Sequence, residues 1–183
     1  MKMHSFHNRL FIAMACGLVS AGMSCFSQPA EKADEKSQLS RSDKAFVKEA
    51  YEGGLAEIKS GEMAKTKATK PETRELAERL VTDHQKANES LKTIADSKGV
   101  SLPNEPTLLM QGKLKLLEKK EGVEFDKAFA EHAVNDHKSD IKTFEKVANG
   151  NGDAEVKSFA KKTLPTLKEH LALAEKAAGA AGK

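Results

Sequence analysis

The sequence predicts an all-α protein whose main elements are four long helices. Aromatic residues make up only 5% of its 183 residues and Trp is absent, whereas Ala, Lys and Glu are abundant, a composition that favours helix over sheet. Apolar residues recur every three or four positions in four long segments, which is the spacing of one helix face. Because Pro and Gly separate these segments, we predict two helical hairpins.

The first 27 residues form a predicted signal peptide. Lys2 and Arg9 precede an apolar run at residues 10–21. That run is too short to span a bilayer as a permanent anchor and has the length of a secretory leader. The chain is therefore predicted to be exported.

Processing of this leader has three predicted outcomes. Small residues allow cleavage before Gln28 or after Ala21, and Cys25 offers a lipidation site, although the residues just before it lack the aliphatic side chain that usually opens one. Both cysteines, Cys16 and Cys25, lie in the leader, so the rest of the chain needs no disulfide. A lone Cys25 ahead of residues 28–42, a predicted disordered tether, also suits a membrane tether through a lipid.

The charge pattern argues against a nucleic-acid partner. The formal net charge is +3, but Lys2 and Arg9 belong to the leader, which holds no acidic residue, so the remainder is close to neutral. Binding to a phosphate backbone usually needs a basic stripe or stacking aromatic residues, and the sequence has neither. We predict no nucleic-acid partner.

The first predicted helix begins after Ser42, which offers an N-cap, and its apolar spacing extends to residue 68. Gly53, Gly54 and Gly61 interrupt it. Each glycine weakens a helix by about 1 kcal/mol relative to Ala. We expect all three to let a neighbouring helix approach closely.

The second predicted helix spans residues 72–97, with Pro71 suited to its first turn and Gly99 ending it. Residues 100–122 then form a connection that carries a short amphipathic helix. Such a connection is long for two adjacent helices and suits a crossover along the length of a bundle. Its lysines are typical of a solvated face: Lys113, Lys115, Lys119 and Lys120.

The second hairpin is predicted from two further apolar patterns. The third helix starts near Val123 and ends at a turn in residues 149–153, and the fourth starts at Ala154. Pro165 lies inside the fourth helix and is expected to kink or split it. Residues 179–183 are expected to fray. Two hairpins joined by a long crossover that contains a short extra helix predict a ferritin-like four-helix bundle over residues 43–178.

Several short motifs, in a fixed order, carry a resemblance to a known family. They are Gly54-Leu55-Ala56-Glu57, Ala64, Asp83-His84, Leu102-Pro103, Phe125-Asp126 leading to His137, and Leu164-Pro165 followed by His170-Leu171. The sequence resembles the ferritin-like family of exported bacterial proteins catalogued as a domain of unknown function and often labelled outer-membrane proteins. The resemblance covers residues 43–177. It implies a ferritin-like fold and a periplasmic or outer-membrane location in a bacterium, and it implies no established reaction.

One polar residue interrupts the apolar stripe of each main helix: Glu57, His84, His137 and His170. Two of these histidines end a repeated pattern, because residues 77–84 and 130–137 share Ala, Glu, Val, Asp and His at equivalent positions. Glu57 and His84 lie equally far from the first turn, so they are expected at one height. His170 lies about 7 Å farther from the second turn than His137 does, which makes His132 the better level partner for His170.

Imidazole and carboxylate side chains at these four positions predict a candidate metal site for Zn, Fe, Mn or Cu, with Asp83 or Asp136 supporting the ligands. Ferritin-like di-metal sites use Glu-x-x-His. Here Val81, Val134 and Leu167 stand three residues before the histidines. Di-iron oxidase chemistry is therefore not predicted.

The competing interpretation is a structural polar layer in which Glu57 bonds to His84 and fixes the helix register. The Asp of each repeat is expected nearer solvent, since consecutive helix residues point about 100° apart. No catalytic set is predicted. The leading function is a non-enzymatic binding or stress-associated module of the cell envelope, and the alternative is a metal-binding or metal-dependent redox protein.

Overall fold

The computed structural model describes residues 38–182, and this part of the chain is entirely helical, without a strand. Its five helices are α1 (Arg41–Lys67), α2 (Pro71–Ser97), α3 (Leu108–Glu118), α4 (Gly122–Asn149) and α5 (Ala154–Ala181). The all-α prediction is confirmed, and α3 is the expected short helix in the long connection. None of these helices is both long and apolar enough to cross a membrane. The predicted signal peptide, Cys25 and residues 28–37 lie outside the described residues.

The long helices pack in sequence-adjacent pairs. Three residues join α1 to α2 and four join α4 to α5, so each pair forms an antiparallel hairpin. The hairpins meet where α2 packs against α5, and α3 packs against α1 and α4.

The interior contains two apolar clusters. The first, called the Phe46 cluster, consists of Leu39, Phe46, Val47, Leu91, Ala95, Val100, Phe144, Val156, Phe159, Ala160 and Leu167. The second, called the Phe125 cluster, consists of Ala64, Leu76, Ala77, Leu80, Leu117, Phe125, Phe129, Ala130, Ala133, Ala174 and Ala177.

A polar layer separates the two clusters along every long helix. In α1 and α5 the chain passes from the Phe46 cluster to the Phe125 cluster, and in α2 and α4 it passes the other way. The residue between the clusters is Glu57 in α1, His84 in α2, His137 in α4 and His170 in α5, and all four are buried. The four polar side chains therefore lie at one level, with apolar packing on both sides.

A buried carboxylate fixes the start of α2. Lys70 precedes α2 without a side-chain cap, so backbone N–H groups there need another acceptor. Asp126 of α4, which is fully buried, accepts from the Thr69 N–H at 3.1 Å and the Lys70 N–H at 3.3 Å. The Thr69 hydroxyl also donates to it. This contact ties the first hairpin to the second.

The helices differ from prediction in three main places, two at helix ends and one inside α5. α1 begins at Arg41, because Ser40 is the N-cap that accepts from the Asp43 N–H at 3.1 Å. α5 remains one helix through Pro165, which is exposed while Phe159 and Leu167 anchor the helix on either side. It also continues to Ala181, since that side chain is buried.

Candidate metal centre

Glu57 of α1 meets His84 of α2 inside the first hairpin, with Glu57 Oε2 and His84 Nε2 2.8 Å apart. Glycine allows this close approach at two positions. A Cβ on Gly54 would lie 2.3 Å from Asn88 Oδ1, and a Cβ on Gly61 would lie 2.7 Å from a methyl carbon of Val81. Gly53 faces open space, so that part of the glycine prediction was wrong.

His137 and His170 meet inside the second hairpin, with His137 Nε2 and His170 Nδ1 3.2 Å apart. The predicted mismatch in height between them was therefore wrong. The Cα–Cβ bond of a helical residue tilts toward the helix N-terminus. The side chain of His137 accordingly points away from the loop between α4 and α5, and that of His170 points toward this loop. The two rings therefore meet although their backbones lie at different distances from the loop. His132, the alternative partner, is exposed.

The two hairpins bring these pairs together. Glu57 Oε1 lies 3.3 Å from His137 Nδ1. The His84 ring centroid lies 5.9 Å from that of His137 and 5.3 Å from that of His170. One ring nitrogen from each histidine lies within 4.8 Å of the other two. All four residues predicted for the site thus form one buried cluster.

Charge inside this cluster is distributed unevenly. Burial alone would raise the pKa of Glu57, but the charges of His84 and His137 outweigh burial and bring it to about 2. Burial alone would lower the pKa of His84, but the Glu57 carboxylate raises it above 6.5. Burial lowers the pKa of His170 to about 4, aided by the charge of His84 and opposed by Asp83. Near neutral pH the cluster therefore holds an ionised Glu57 and an uncharged His170.

The outer nitrogens of His137 and His170 both donate to fixed acceptors. His137 Nδ1–H donates to the Ala133 carbonyl at 2.9 Å, and His170 Nε2–H donates to Asp83 Oδ2 at 3.1 Å. A neutral imidazole carries one N–H and one lone pair. The two inner nitrogens, 3.2 Å apart, therefore face each other with lone pairs unless a proton or another cation joins them.

Two more atoms of the layer lack an aligned hydrogen bond, namely Glu57 Oε1 and His84 Nε2. His84 Nε2 and Glu57 Oε2, 2.8 Å apart, are close enough for an ion pair, although their geometry falls short of an aligned hydrogen bond. The N–H of His137 is directed to Ala133, which leaves Glu57 Oε1 without a donor. Buried polar atoms are rarely left unpaired, so the layer contains polar atoms that the hydrogen bonds among the described side chains do not satisfy.

The aspartates of the two repeats differ from each other. Asp83, expected near solvent, has a side chain only 14% exposed and accepts from His170. Its Oδ2 also lies 3.0 Å from Arg79 Nε. Asp136 is half exposed and lies 3.9 Å from Lys113. The expectation of a peripheral position was wrong for Asp83 and confirmed for Asp136.

A cavity of about 160 Å³ adjoins the cluster on the side of Glu57, between α1, α3 and α4. Its walls are mostly apolar, with Leu80, Leu117 and Phe129 among them, and Asp140 shares them with Glu57. Burial, followed by the charge of Glu57, raises the pKa of Asp140 to about 7. Sequence reasoning missed Asp140, although its position three residues after His137 puts both on one helix face.

Comparison with protein families assigns the chain to one of them. A family model described as a domain of unknown function (DUF4142) matches residues 28–177, which is most of the chain. The chain belongs to this family. Its members share the region that holds all five described helices apart from the last residues of α5. A comparison with curated proteins found no match, and neither did a comparison with solved structures.

Proposed function

We propose that this protein is an exported, non-enzymatic metal-binding protein with a ferritin-like four-helix architecture. Glu57, His84, His137 and His170 would hold a single transition-metal ion between the two apolar clusters. Metal binding is the alternative that the sequence left open, whereas the leading expectation, a non-enzymatic binding or stress-associated module, named no ligand.

The observation that carries this proposal is the orientation of His137 and His170. Metal-ligating histidines usually donate their outer N–H to a carbonyl or a carboxylate, which points the inner lone pair at the metal. Ala133 and Asp83 supply those two acceptors here. Nitrogens bound about 2.0–2.1 Å from a tetrahedral Zn²⁺ stand about 3.3 Å apart, and the inner nitrogens are 3.2 Å apart.

The donor set limits the kind of ion. Three imidazoles and one carboxylate suit Zn²⁺, and after it Cu, Fe and Mn. The missing Glu-x-x-His spacing favours one ion over two. If all four side chains bind a tetrahedral ion, no coordination position stays open for substrate, which is typical of structural sites and not of catalytic ones.

The competing interpretation is that a proton, not a metal, joins His137 to His170 and that the layer only fixes helix register. In both interpretations a cation, either a proton or a metal ion, lies between the lone pairs of His137 Nε2 and His170 Nδ1. They differ in whether the purified protein contains metal and in whether metal stabilises it, because a ligand that binds only the folded state raises the melting temperature.

The test uses exported protein purified without a His-tag. We expect elemental analysis to find close to one transition-metal ion per chain, and Zn²⁺ added after EDTA treatment to raise the melting temperature. His137→Gln should abolish the shift, whereas His132→Gln, which changes an exposed histidine on the same helix, should retain it. If wild type is purified without metal and Zn²⁺, Cu²⁺ and Mn²⁺ do not change its melting temperature, the metal proposal is wrong. The four residues would then form a protonated layer that fixes helix register.

Export itself is part of the proposal and is supported by the basic residues and apolar run of the leader. Mass spectrometry of the mature N-terminus distinguishes cleavage before Gln28 from acylation at Cys25. A mature mass that still includes residues 1–27 would contradict export through this leader.

A further inference from the structure

The most exposed large apolar side chains of residues 38–182 lie in one short stretch. Leu108 is 85% exposed, Leu109 74%, Leu116 63% and Val123 50%. Three of them belong to α3, which contains only 11 residues. Single exposed leucines are ordinary, but several grouped together mark an interaction surface.

The leucines of α3 share one side of the helix. At 100° per residue, Leu108, Leu116 and Leu109 fall within an arc of about 100°, with Gly112 between them. Leu117, at 2% exposure, lies on the opposite side and belongs to the Phe125 cluster. We call Leu108, Leu109 and Leu116 the α3 patch. The patch faces away from the cavity beside Glu57.

Lysines border the α3 patch on both sides. Residues 108–120 contain four lysines and one acidic residue, Glu118. On the helix, Lys113 flanks one edge of the patch and Lys115 flanks the other. Lys119, the C-cap of α3, follows at the C-terminal end of the patch. Among residues 38–182, no carboxylate lies within ion-pair distance of Lys115 or Lys119, and the nearest carboxylate to Lys113 is Asp136 at 3.9 Å. The border is therefore cationic and largely unneutralised.

We propose that α3 docks the protein on the surface of a bilayer that contains anionic lipid. The leucines would enter the boundary between headgroups and acyl chains, and the lysines would contact anionic headgroups. Helices that lie in this interface combine an apolar face with lysine-rich flanks. Lysines alone are typical of a solvated face, but here exposed leucines stand between them.

Charge also argues against a second copy of this chain as the occupant. Two α3 patches facing each other would bring lysines against lysines, with Glu118 as the only acid of each segment. An anionic membrane neutralises all of the lysines at once, and each lysine near such a surface strengthens binding by about fivefold. The observations behind this proposal are independent of the metal site.

The test is flotation of the exported protein with lipid vesicles, with Cys25→Ser in every variant so that acylation contributes nothing. We expect binding to vesicles of mixed phosphatidylcholine and phosphatidylglycerol, weaker binding in high salt, and little binding to phosphatidylcholine alone. Replacing Leu108, Leu109 and Leu116 together by Ser should reduce binding by about 1,000-fold, since each buried leucine contributes about tenfold.

Two double variants with the same net charge distinguish the effect of lysines beside the patch from the effect of net charge. Lys115→Glu with Lys119→Glu should weaken binding to the mixed vesicles by at least about tenfold. Lys161→Glu with Lys162→Glu makes the same change in net charge at exposed positions on α5 and should leave most binding intact. Circular dichroism checks that each variant is folded.

Two results would overturn the proposal. One is binding to mixed vesicles that the triple Leu→Ser variant retains. The other is no binding of wild type to the mixed vesicles. A dimer in sedimentation analysis that the triple variant dissociates would then identify the patch as a contact between copies. A metal-free protein that still binds vesicles through α3 would support this proposal and contradict only the metal site.

Discussion

The two Asp-His repeats have the same residues and different surroundings. In α2, Asp83 turns to α5 and accepts from His170, and His84 contacts Glu57. In α4, Asp136 stays half exposed, and its neighbour His137 donates to the Ala133 carbonyl of its own helix. The difference arises because α2 packs against both α1 and α5, whereas α4 has the cavity on one side.

The residue three positions after each histidine widens this difference. After His84 it is Ala87, which packs against the Phe46 cluster. After His137 it is Asp140, which shares the cavity wall with Glu57. Each repeat therefore supplies one histidine to the site. The first repeat adds Asp83, which accepts from His170, and the second adds Asp140 in the wall of the cavity. A repeated motif does not imply a repeated role.

Glu57→Gln should produce the largest effect, because Glu57 contacts the histidines of both repeats. We expect the apo protein to lose about 3–5 kcal/mol of unfolding free energy, as when one partner of a buried ion pair is removed. Chemical denaturation in EDTA measures the loss. Glu62→Gln, at an exposed position on the same helix, is the control and should change little.

The pH dependence of that loss follows from two opposite shifts. The pKa of His84 is raised above its usual 6.5. The stability that His84 contributes is therefore fully present below pH 6.5 and is lost as the pH rises through the pKa of the folded protein. The pKa of Glu57 is lowered, so its contribution is present above 4.5 and is lost as pH falls toward about 2. The difference between wild type and Glu57→Gln should peak between these limits; a difference that grows above neutral pH would contradict the pairing.

Asp83→Ala and Asp136→Ala compare the two aspartates directly. Removing the carboxylate that orients a ligating histidine usually lowers metal affinity by about 10- to 100-fold. We expect that loss for Asp83→Ala only, measured by competition with a chromophoric chelator. Equal losses in both variants would mean that the repeats are equivalent after all.

Asp140→Asn tests the acidic side of the second repeat. The folded protein keeps a proton on Asp140 up to a pKa of about 7, whereas the unfolded chain releases it near 3.8, so stability falls as pH rises between these values. The Asn variant carries no such charge. Without metal, the Asn variant should have the same unfolding free energy as wild type near pH 3.8. At pH 8 its unfolding free energy should be higher by at least about 1–2 kcal/mol. Parallel stability curves would mean that burial and the charge of Glu57 do not raise the pKa of Asp140 in the folded protein.

The smallest effects are expected at Gly53 and Gly54, which differ in what faces them. Gly54→Ala should cost about 1 kcal/mol or more, because its Cβ would press on Asn88 and move α1 away from the first repeat. Gly53→Ala meets open space and should gain about 0.5–1 kcal/mol from helix propensity. Thermal melting of both variants is sufficient, and a Gly54→Ala protein as stable as wild type would show that α1 is not closely packed there.

Much of the helix layout was predictable from local chemistry. Pro71 begins α2, Gly99 has the left-handed φ of 66° that ends it, and Asp153 caps α5 through the Glu155 and Val156 N–H groups. The four polar residues of the layer were predictable for the same reason, since each interrupts an apolar stripe.

The rest of the site depends on contacts between helices that local spacing does not record. Counting residues from the loop placed His137 and His170 apart, because it ignored the opposite tilt of their side chains. The 100° rule placed Asp83 near solvent, because it assumed that α2 has one packed side. Asp140 became relevant only through the cavity formed by α1, α3 and α4.

X-ray absorption at the metal edge of the Zn²⁺-loaded protein tests the central claim most directly. The account predicts one ion with three imidazole nitrogens and one carboxylate oxygen about 2.0–2.1 Å away. The imidazole signal should diminish in His137→Gln and stay unchanged in His132→Gln. A spectrum dominated by water oxygens, or one that His137→Gln leaves unaltered, would contradict a metal centre between the two apolar clusters.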